Sequence, residues 1–313
     1  IVFGDWSSDV CSSDLFLSSA LLFQNPNLFK SYLNWLAKVL YTRNVPLPYL
    51  IENLRIMKNF LEQAFPNEND MINRYFDEID EFTIEKIQTF YDQKTRKTEL
   101  NAKTSSLLDL LVKTQKSETI SLIQGWINEG ITREEFYLNI FQPVLYEIGD
   151  LWESNKLFVA HEHYATAIIK HLIEILPKQI QSAPNNENQL TESKNVNIIC
   201  SCVGTEGHDI GLKILSDFFE LEGWNVYYLG ANTPNETNIA MANVIKKANS
   251  QSRIFFAISI STLLNLVNLT DLILKIRLNF EHKVGIIIGG RIFIQHPELA
   301  QKLDVELDRK SVV

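Results

Sequence analysis

Residues 206–211 read Glu206-Gly207-His208-Asp209-Ile210-Gly211, a run whose residue types and spacing suit metal chemistry. An imidazole such as that of His208 is a good ligand for a borderline transition metal. The carboxylate two residues before it, Glu206, can hold the second ring nitrogen, which fixes the tautomer and raises the basicity of the ligating one. Gly211, with no side chain, lets the backbone approach a bulky group. Three more segments carry small or polar residues fit to line a crevice: Leu229-Gly230-Ala231-Asn232-Thr233-Pro234, Ser259-Ile260-Ser261-Thr262-Leu263 and Gly289-Gly290. Singly, each is ordinary: a solvated loop histidine, a turn, a pair of glycines. Their order along the chain makes them a constellation.

The elements that must position these residues follow from the change of pattern after residue 195. Apolar runs at Val196 to Val203, Val226 to Leu229, Ile254 to Ile260 and Val284 to Ile288 predict four strands. Helical stretches at Asp209 to Glu222, Glu236 to Ala248 and Leu266 to Leu278 alternate with them, and Asp304-Val305-Glu306-Leu307 begins a fifth strand. Strands alternating with helices of this length predict a parallel, doubly wound sheet of flavodoxin or Rossmann-like type. Ligands of such sheets bind beyond the carboxyl ends of the strands, and all four segments fall at that edge. Cys200 and Cys202 read as apolar filling on alternate faces of the first strand.

Upstream, residues 101–180 predict four helices with short connections, hence a four-helix bundle. Thr132 with Glu135 forms a capping box at the start of the third. Residues 16–100 are also helical; one stripe runs through Phe29, Tyr32, Leu33, Leu36 and Leu40 and a later one through Ile72, Phe76, Ile79 and Phe82. Residues 181–194, polar and without periodicity, read as a linker. Residues 1–15 and 308–313 look like translated adapter sequence and are set aside, so that 195–307 is expected to be an α/β domain truncated at its C-terminal end. The expected class is thus α + α/β: N-terminal helices, a four-helix-bundle cap, then the parallel sheet.

The four segments resemble the cobalamin-binding domain of cobalamin-dependent methionine synthase, of corrinoid methyltransferase proteins and of light-sensing cobalamin-dependent repressors. That fingerprint is Asp-x-His-x-x-Gly, a later Ser-x-Leu or Ser-x-Thr, then Gly-Gly. The resemblance implies a cobalamin cofactor, as adenosylcobalamin or methylcobalamin, with His208 as lower axial ligand to cobalt. It also implies cofactor contacts from Glu206, Asp209, Gly211, Ser259 or Ser261, Leu263, Gly289 and Gly290. Glu206 stands where many relatives have Asp. Both Ser259 and Ser261 fit the serine position, with Ser259 favoured by counting back from Asn265-Leu266.

The bundle carries its own signature. Trp152 is followed by Glu162-His163 with nine residues between, which resembles the cap of the photoreceptor repressors. There the Trp and Glu pack over the upper axial group, and the resemblance implies that His163 ligates cobalt once that group is lost. His161 and His163, at i and i+2 of one helix, point apart and cannot both chelate one metal. His161 reads as a surface residue and His171 as structural.

Composition bounds the rest. A net charge of −9 and a pI near 5.3 argue against a nucleic-acid-binding surface, which needs clustered Lys and Arg. No apolar run reaches the roughly 18 residues that a membrane span requires. Three cysteines make no disulfide framework, and a reducing cytoplasm is the expected compartment. No Ser-His-Asp set, phosphate-binding loop or zinc spacing is present, so the chain is not expected to be an enzyme on its own. Two functions compete: a sensor or regulator in which cobalamin joins cap to α/β domain, and a corrinoid carrier serving separate methyltransferases. The cap signature and the N-terminal helices, which suit homo-oligomerisation or signalling to a protein partner, favour the sensor. A radical mutase ranks last, since it needs a substrate barrel for which no sequence is present.

Overall fold

The computed structural model describes residues 13–77, 100–180, 195–281, 283–303 and 306–307. The chain divides into two compact units: residues 1–29 with 186–313, and residues 30–185. Ile79, Phe82, Cys11 and the expected linker at 181–194 lie outside the described residues.

In the helical unit α2 (Pro26–Thr42, begun in the other unit), α3 (Leu47–Ala64) and α4 (Asn69–Phe76) form the N-terminal region. Pro46 caps α3 and Pro48 lies in its first turn, where a proline costs no helical hydrogen bond. The bundle follows: α5 (Ala102–Val112), α6 (Lys116–Asn128), a third helical run, and α9 (Val159–Gln179). The third run opens with α7 (Arg133–Glu135), passes through a π turn at Phe136–Phe141 and continues as α8 (Gln142–Glu153). Its capping box is formed in both directions: Glu135 N–H donates to Thr132 Oγ1 at 3.2 Å, and Thr132 N–H donates to Glu135 Oε2 at 3.0 Å. The wide turn ends beside Pro143, which has no N–H to give a regular ladder. Phe136, Tyr137 and Phe141 within it are fully buried in the bundle core. Among the described residues no helix is long and apolar enough to cross a membrane.

The other unit is the α/β layer structure. Strands β1 (Val196–Val203), β2 (Asn225–Thr233), β3 (Arg253–Ser259), β4 (Gly285–Gly289) and β5 (Glu306–Leu307) lie in the order β2-β1-β3-β4-β5. All are parallel. Helices α10 (Ile210–Leu221), α11 (Asn235–Ala248) and α12 (Leu266–Phe280) make the crossovers, and short helices α13 (Arg291–Gln295) and α14 (Glu298–Lys302) precede β5. β1 is buried along its whole length, as a central strand covered on both faces must be. Cys200 and Cys202 do not alternate faces. Being two residues apart they share one, where with Ile198 they pack against Leu212 and Ala257. The fifth strand expected from residue 304 pairs at Glu306 and Leu307, opposite Ile287 and Ile288.

Helix α1 (Ser13–Leu22) belongs to this unit, and its first turn falls within the segment set aside from the sequence. Phe16, Leu17 and Ala20 are buried, and the buried Ser19 hydroxyl donates to the Leu263 carbonyl at 2.9 Å. Burial against the β3–α12 turn supplies the support that local periodicity does not show.

Candidate functional site

The strand order places a topological switch point between β1 and β3, since the chain leaves β1 for β2 on one side and reaches β3 on the other. The carboxyl ends of three strands are level there: Cys202 on β1 is opposite Ser259 on β3, which is opposite Gly289 on β4. The four segments singled out from the sequence meet at this edge.

Glu206 joins them. Its side chain is 1% exposed, a depth at which a carboxylate survives only when fully bonded. Oε1 accepts from the His208 backbone N–H at 3.0 Å and pairs with His208 Nδ1 at 2.5 Å. Oε2 accepts from the backbone N–H groups of Ser261 (2.7 Å) and Thr262 (3.2 Å) and from Asn265 Nδ2 (3.3 Å). Its backbone carbonyl accepts from Asn232 N–H at 3.0 Å, which ties in the loop after β2. Ile260 N–H donates to the Gly289 carbonyl at 3.0 Å and brings in β4. Burial by itself would raise the Glu206 carboxyl, but the bonds and charge of His208 and the bond from Ser261 outweigh it and hold the group below its ordinary value.

His208 is the opposite case. Its side chain is 71% exposed although the carboxylate that holds it is buried. Glu206 takes Nδ1, so ligation of a metal would fall to Nε2. A Cβ built on Gly207 or on Gly211 would meet nothing within 4 Å beyond its immediate chain neighbours and its own helix backbone. The protein's own packing does not demand glycine at either place. Gly290 differs: its φ is +111°, and a Cβ there would overlap the Ile260 carbonyl. It is required for the β3 and β4 ends to approach, whatever binds. The residues fit a corrinoid carried over an imidazole, with small groups leaving room around it.

Of the other expected residues, Leu263 is buried beneath α1, and Ser261 lies in the Glu206 network through its backbone. Ser259 sits level with Cys202 and Gly289. Asp209 turns inward, where the Tyr228 hydroxyl donates to its Oδ2 at 2.9 Å. Burial, with Asp209 adding to it, holds the Tyr228 phenol far above its ordinary range, so it stays a donor. Asn265 was missed as a functional residue. It is buried and bonds Glu206 and Thr262 through Nδ2, and the Thr205 backbone through Oδ1 at 3.0 Å. An amide inside the apolar run Leu263-Leu264-Asn265-Leu266 was the available signal.

In the helical unit, Trp152 lies near the end of α8, and Glu162 and His163 lie in the first turns of α9. Glu162 Oε2 holds His163 Nδ1 at 2.6 Å, and Thr166 Oγ1 donates to Oε1 at 2.8 Å. The His163 side chain is 74% exposed. As at Glu206 and His208, a carboxylate is bonded to Nδ1 and the ring is exposed, but Glu162 is itself 32% exposed where Glu206 is buried. His161 is not a surface residue. It is half-buried and stacks on the exposed Phe158 ring at a centroid distance of 5.9 Å, with Nδ1 buried. His171 is exposed.

A parallel 2-1-3-4-5 sheet with a carboxylate-braced histidine at its switch point, joined to a four-helix bundle, defines a corrinoid-binding class of protein. Two family models, each described as a B12 binding domain, match residues 105–176 and 196–308. The chain belongs to the cobalamin-binding proteins that join a helical cap to a Rossmann-like domain, and cobalamin is its cofactor. In structure it is similar to the monomethylamine corrinoid protein of Methanosarcina barkeri, with a TM-score of 0.54 and 15% identity over 66% of this chain and 93% of that one. It also matches a cobalamin-binding protein from Desulfitobacterium hafniense DCB-2 (TM-score 0.34, 15% identity, 66% and 92% covered). A third match is the methanol:cobalamin methyltransferase complex MtaBC from Methanosarcina barkeri (TM-score 0.30, 16% identity, 67% and 81% covered). At 15% identity the first of these likenesses speaks for the fold alone. No curated protein matches the chain closely enough to count as a relative.

Proposed function

We propose that the chain is a cobalamin-dependent sensor, with His208 as lower axial ligand to cobalt through Nε2 and with Trp152, Glu162 and His163 attending the upper face. Ser259 or Ser261, Gly211, Gly289 and Gly290 attend the lower side, while Glu206, Leu263 and Asp209 stand behind them, Glu206 bracing His208 and Asp209 bonded to the Tyr228 hydroxyl. Bound cobalamin supplies a cobalt–carbon bond that can be broken by light or passed on as a methyl group.

The observation that carries this reading is the second carboxylate–imidazole pair. Glu162 is bonded to His163 Nδ1 at 2.6 Å as Glu206 is to His208, and the His163 ring, 74% exposed, is open to a ligand. A held imidazole on the cap is suited to take over a vacated ligand position, which is a switch. The N-terminal region adds an outlet for the signal: Tyr49, Ile56 and Phe60, at i, i+7 and i+11 on α3, form an exposed apolar stripe suited to a second copy or a partner.

A second reading, a methyl carrier serving a separate methyltransferase, is favoured by the likeness in fold to the monomethylamine corrinoid protein. The two separate in one experiment. The full chain is reconstituted with adenosylcobalamin in the dark, desalted, then illuminated, with spectra and size-exclusion runs before and after. A spectral shift with a change of assembly supports the sensor. Retained cofactor with unchanged assembly moves the assignment to the carrier.

A further inference from the structure

The C-terminal ends of α2 and α8 meet within the helical unit, and each leaves carbonyls that its own helix does not satisfy. The chain turns out of α8 at Asn155, with φ +57°, and leaves α2 at Asn44, with φ +58°. Two negative dipole ends brought together would repel, and cations of α2 and of its exit turn offset this. Arg43 donates through Nη2 to the Trp152 carbonyl at 3.1 Å and through Nη1 to the Glu153 carbonyl at 3.4 Å. Thr42 Oγ1 donates to the same Glu153 carbonyl at 3.1 Å, and Asn155 Nδ2 donates back to the Thr42 carbonyl at 3.1 Å. Lys38 pairs with the Glu153 carboxylate at 2.7 Å, both side chains being largely buried. The Arg43 guanidinium also lies over the Trp152 ring, 4.9 Å from its centroid.

Capping alone does not need that last contact. A lysine could offset the dipole, whereas a planar guanidinium both bonds the carbonyls and stacks on the indole, which fixes the ring as well as the helix end. We propose that Arg43 is a positioning residue for Trp152, so that the N-terminal helices are part of the cofactor-binding cap and feel any change at the upper face. This rests on the reading that Trp152 attends the upper axial group. A displacement of the Trp152 ring would break the stack, and one that carried the end of α8 with it would break the carbonyl bonds as well, which makes the α2–α8 junction the route from cofactor to the N-terminal helices.

The test compares R43M, R43K, W152F and the R43M/W152F double variant of the full chain, each loaded with adenosylcobalamin in the dark. Cofactor retention after desalting is followed by its visible spectrum, and folding is checked by thermal melting. The expected result is roughly tenfold faster cofactor loss for R43M, the size of a cation–π contact plus a charge-assisted bond. The double variant then loses cofactor no faster than W152F, because the two residues act as one. R43K keeps the melting temperature near that of the parent while losing cofactor faster, a split that mere capping would not produce. If R43M fails to fold, R43K carries the test alone. Retention at the parent rate in the Arg43 variants, with W152F defective, overturns the positioning role and leaves the Trp152 reading intact. Additive losses in the double variant also overturn it. Parent-like retention in W152F itself overturns the reading on which the inference rests.

Discussion

Glu206 meets His208 twice, accepting its backbone N–H at 3.0 Å and its ring Nδ1 at 2.5 Å with the same oxygen. The other oxygen spans the switch point to Ser261 and Thr262. One buried carboxylate therefore both orients the proposed ligand and closes the crevice floor. Replacing it with Ala strands three backbone donors, each costing about 1–3 kcal/mol when left unsatisfied, so E206A is expected to lose about 3 kcal/mol or more. E206Q keeps an acceptor oxygen and is expected to lose less, about 1–2 kcal/mol, yet to weaken His208 ligation because the charge behind the imidazole is gone. Urea unfolding and the visible spectrum of the loaded protein measure the two effects; equal stability in E206A and the parent would contradict the network.

The same carboxylate sets a pH dependence. Its folded pKa lies below its ordinary value, so its contribution to stability is present above the usual carboxylate range and is lost as the pH falls through the folded value. Unfolding measured from pH 7 down to about pH 3 should show the parent losing stability more steeply than E206Q, which has no group to titrate at that position. Parallel curves would mean that other carboxylates dominate.

Gly290 and Gly211 look alike in sequence but differ in what they answer to. G290A forces a Cβ onto the Ile260 carbonyl at a φ of +111°, and a loss of about 2 kcal/mol or more is expected from the clash and the strained backbone. G211A meets open space within a helix and should leave stability unchanged or raise it by up to about 1 kcal/mol. Its defect should appear only in cobalamin retention, where the methyl group occupies room that the ligand needs. Normal retention by G211A would remove Gly211 from the site.

These contrasts mark how far the sequence could be read. The sheet, its order-defining crossovers and the four edge segments were legible because strand and helix periodicity and loop composition are local. The capping box at Thr132 and Glu135 was legible for the same reason. Hidden were the features made by tertiary contact. Asn265 shows its role only when Glu206 is folded against it, and Asp209, in the expected motif, turns toward Tyr228. The Arg43 contact joins residues more than a hundred positions apart, at a junction that no periodicity announces. The first turn of helix α1, Ser13–Leu15, was set aside with the residues before it, since its support comes from the β3–α12 turn and not from any local period.

Cys200 illustrates burial acting on chemistry. Its thiol is buried and pushed up to about 12, so it is neither a thiolate nor reachable at neutral pH. Alkylation of the native protein at pH 8 followed by peptide mass mapping should leave Cys200 unmodified until denaturant is added. Modification at a native rate would show that the α/β unit opens readily.

The two carboxylate–imidazole pairs should fail in opposite ways. H208A removes the proposed lower ligand, so the loaded protein in the dark should lose the spectral signature of histidine ligation while the α/β unit stays folded, because the ring is largely exposed and its carboxylate keeps the bonds from Ser261 and Thr262. H163A should leave that dark spectrum unchanged if His163 takes the upper position only once the upper group is gone, as proposed. On the proposed reading its defect appears only after illumination, as failure of the spectrum to move to that of ligation by both His208 and His163. E162Q, which keeps the shape but weakens the hold on His163 Nδ1, should give a partial version of the same defect. An altered dark spectrum in H163A with a normal one in H208A would reverse the assignment of upper and lower ligand. A light response identical to the parent in both H163A and E162Q would instead remove the switch from the cap and favour the methyl carrier.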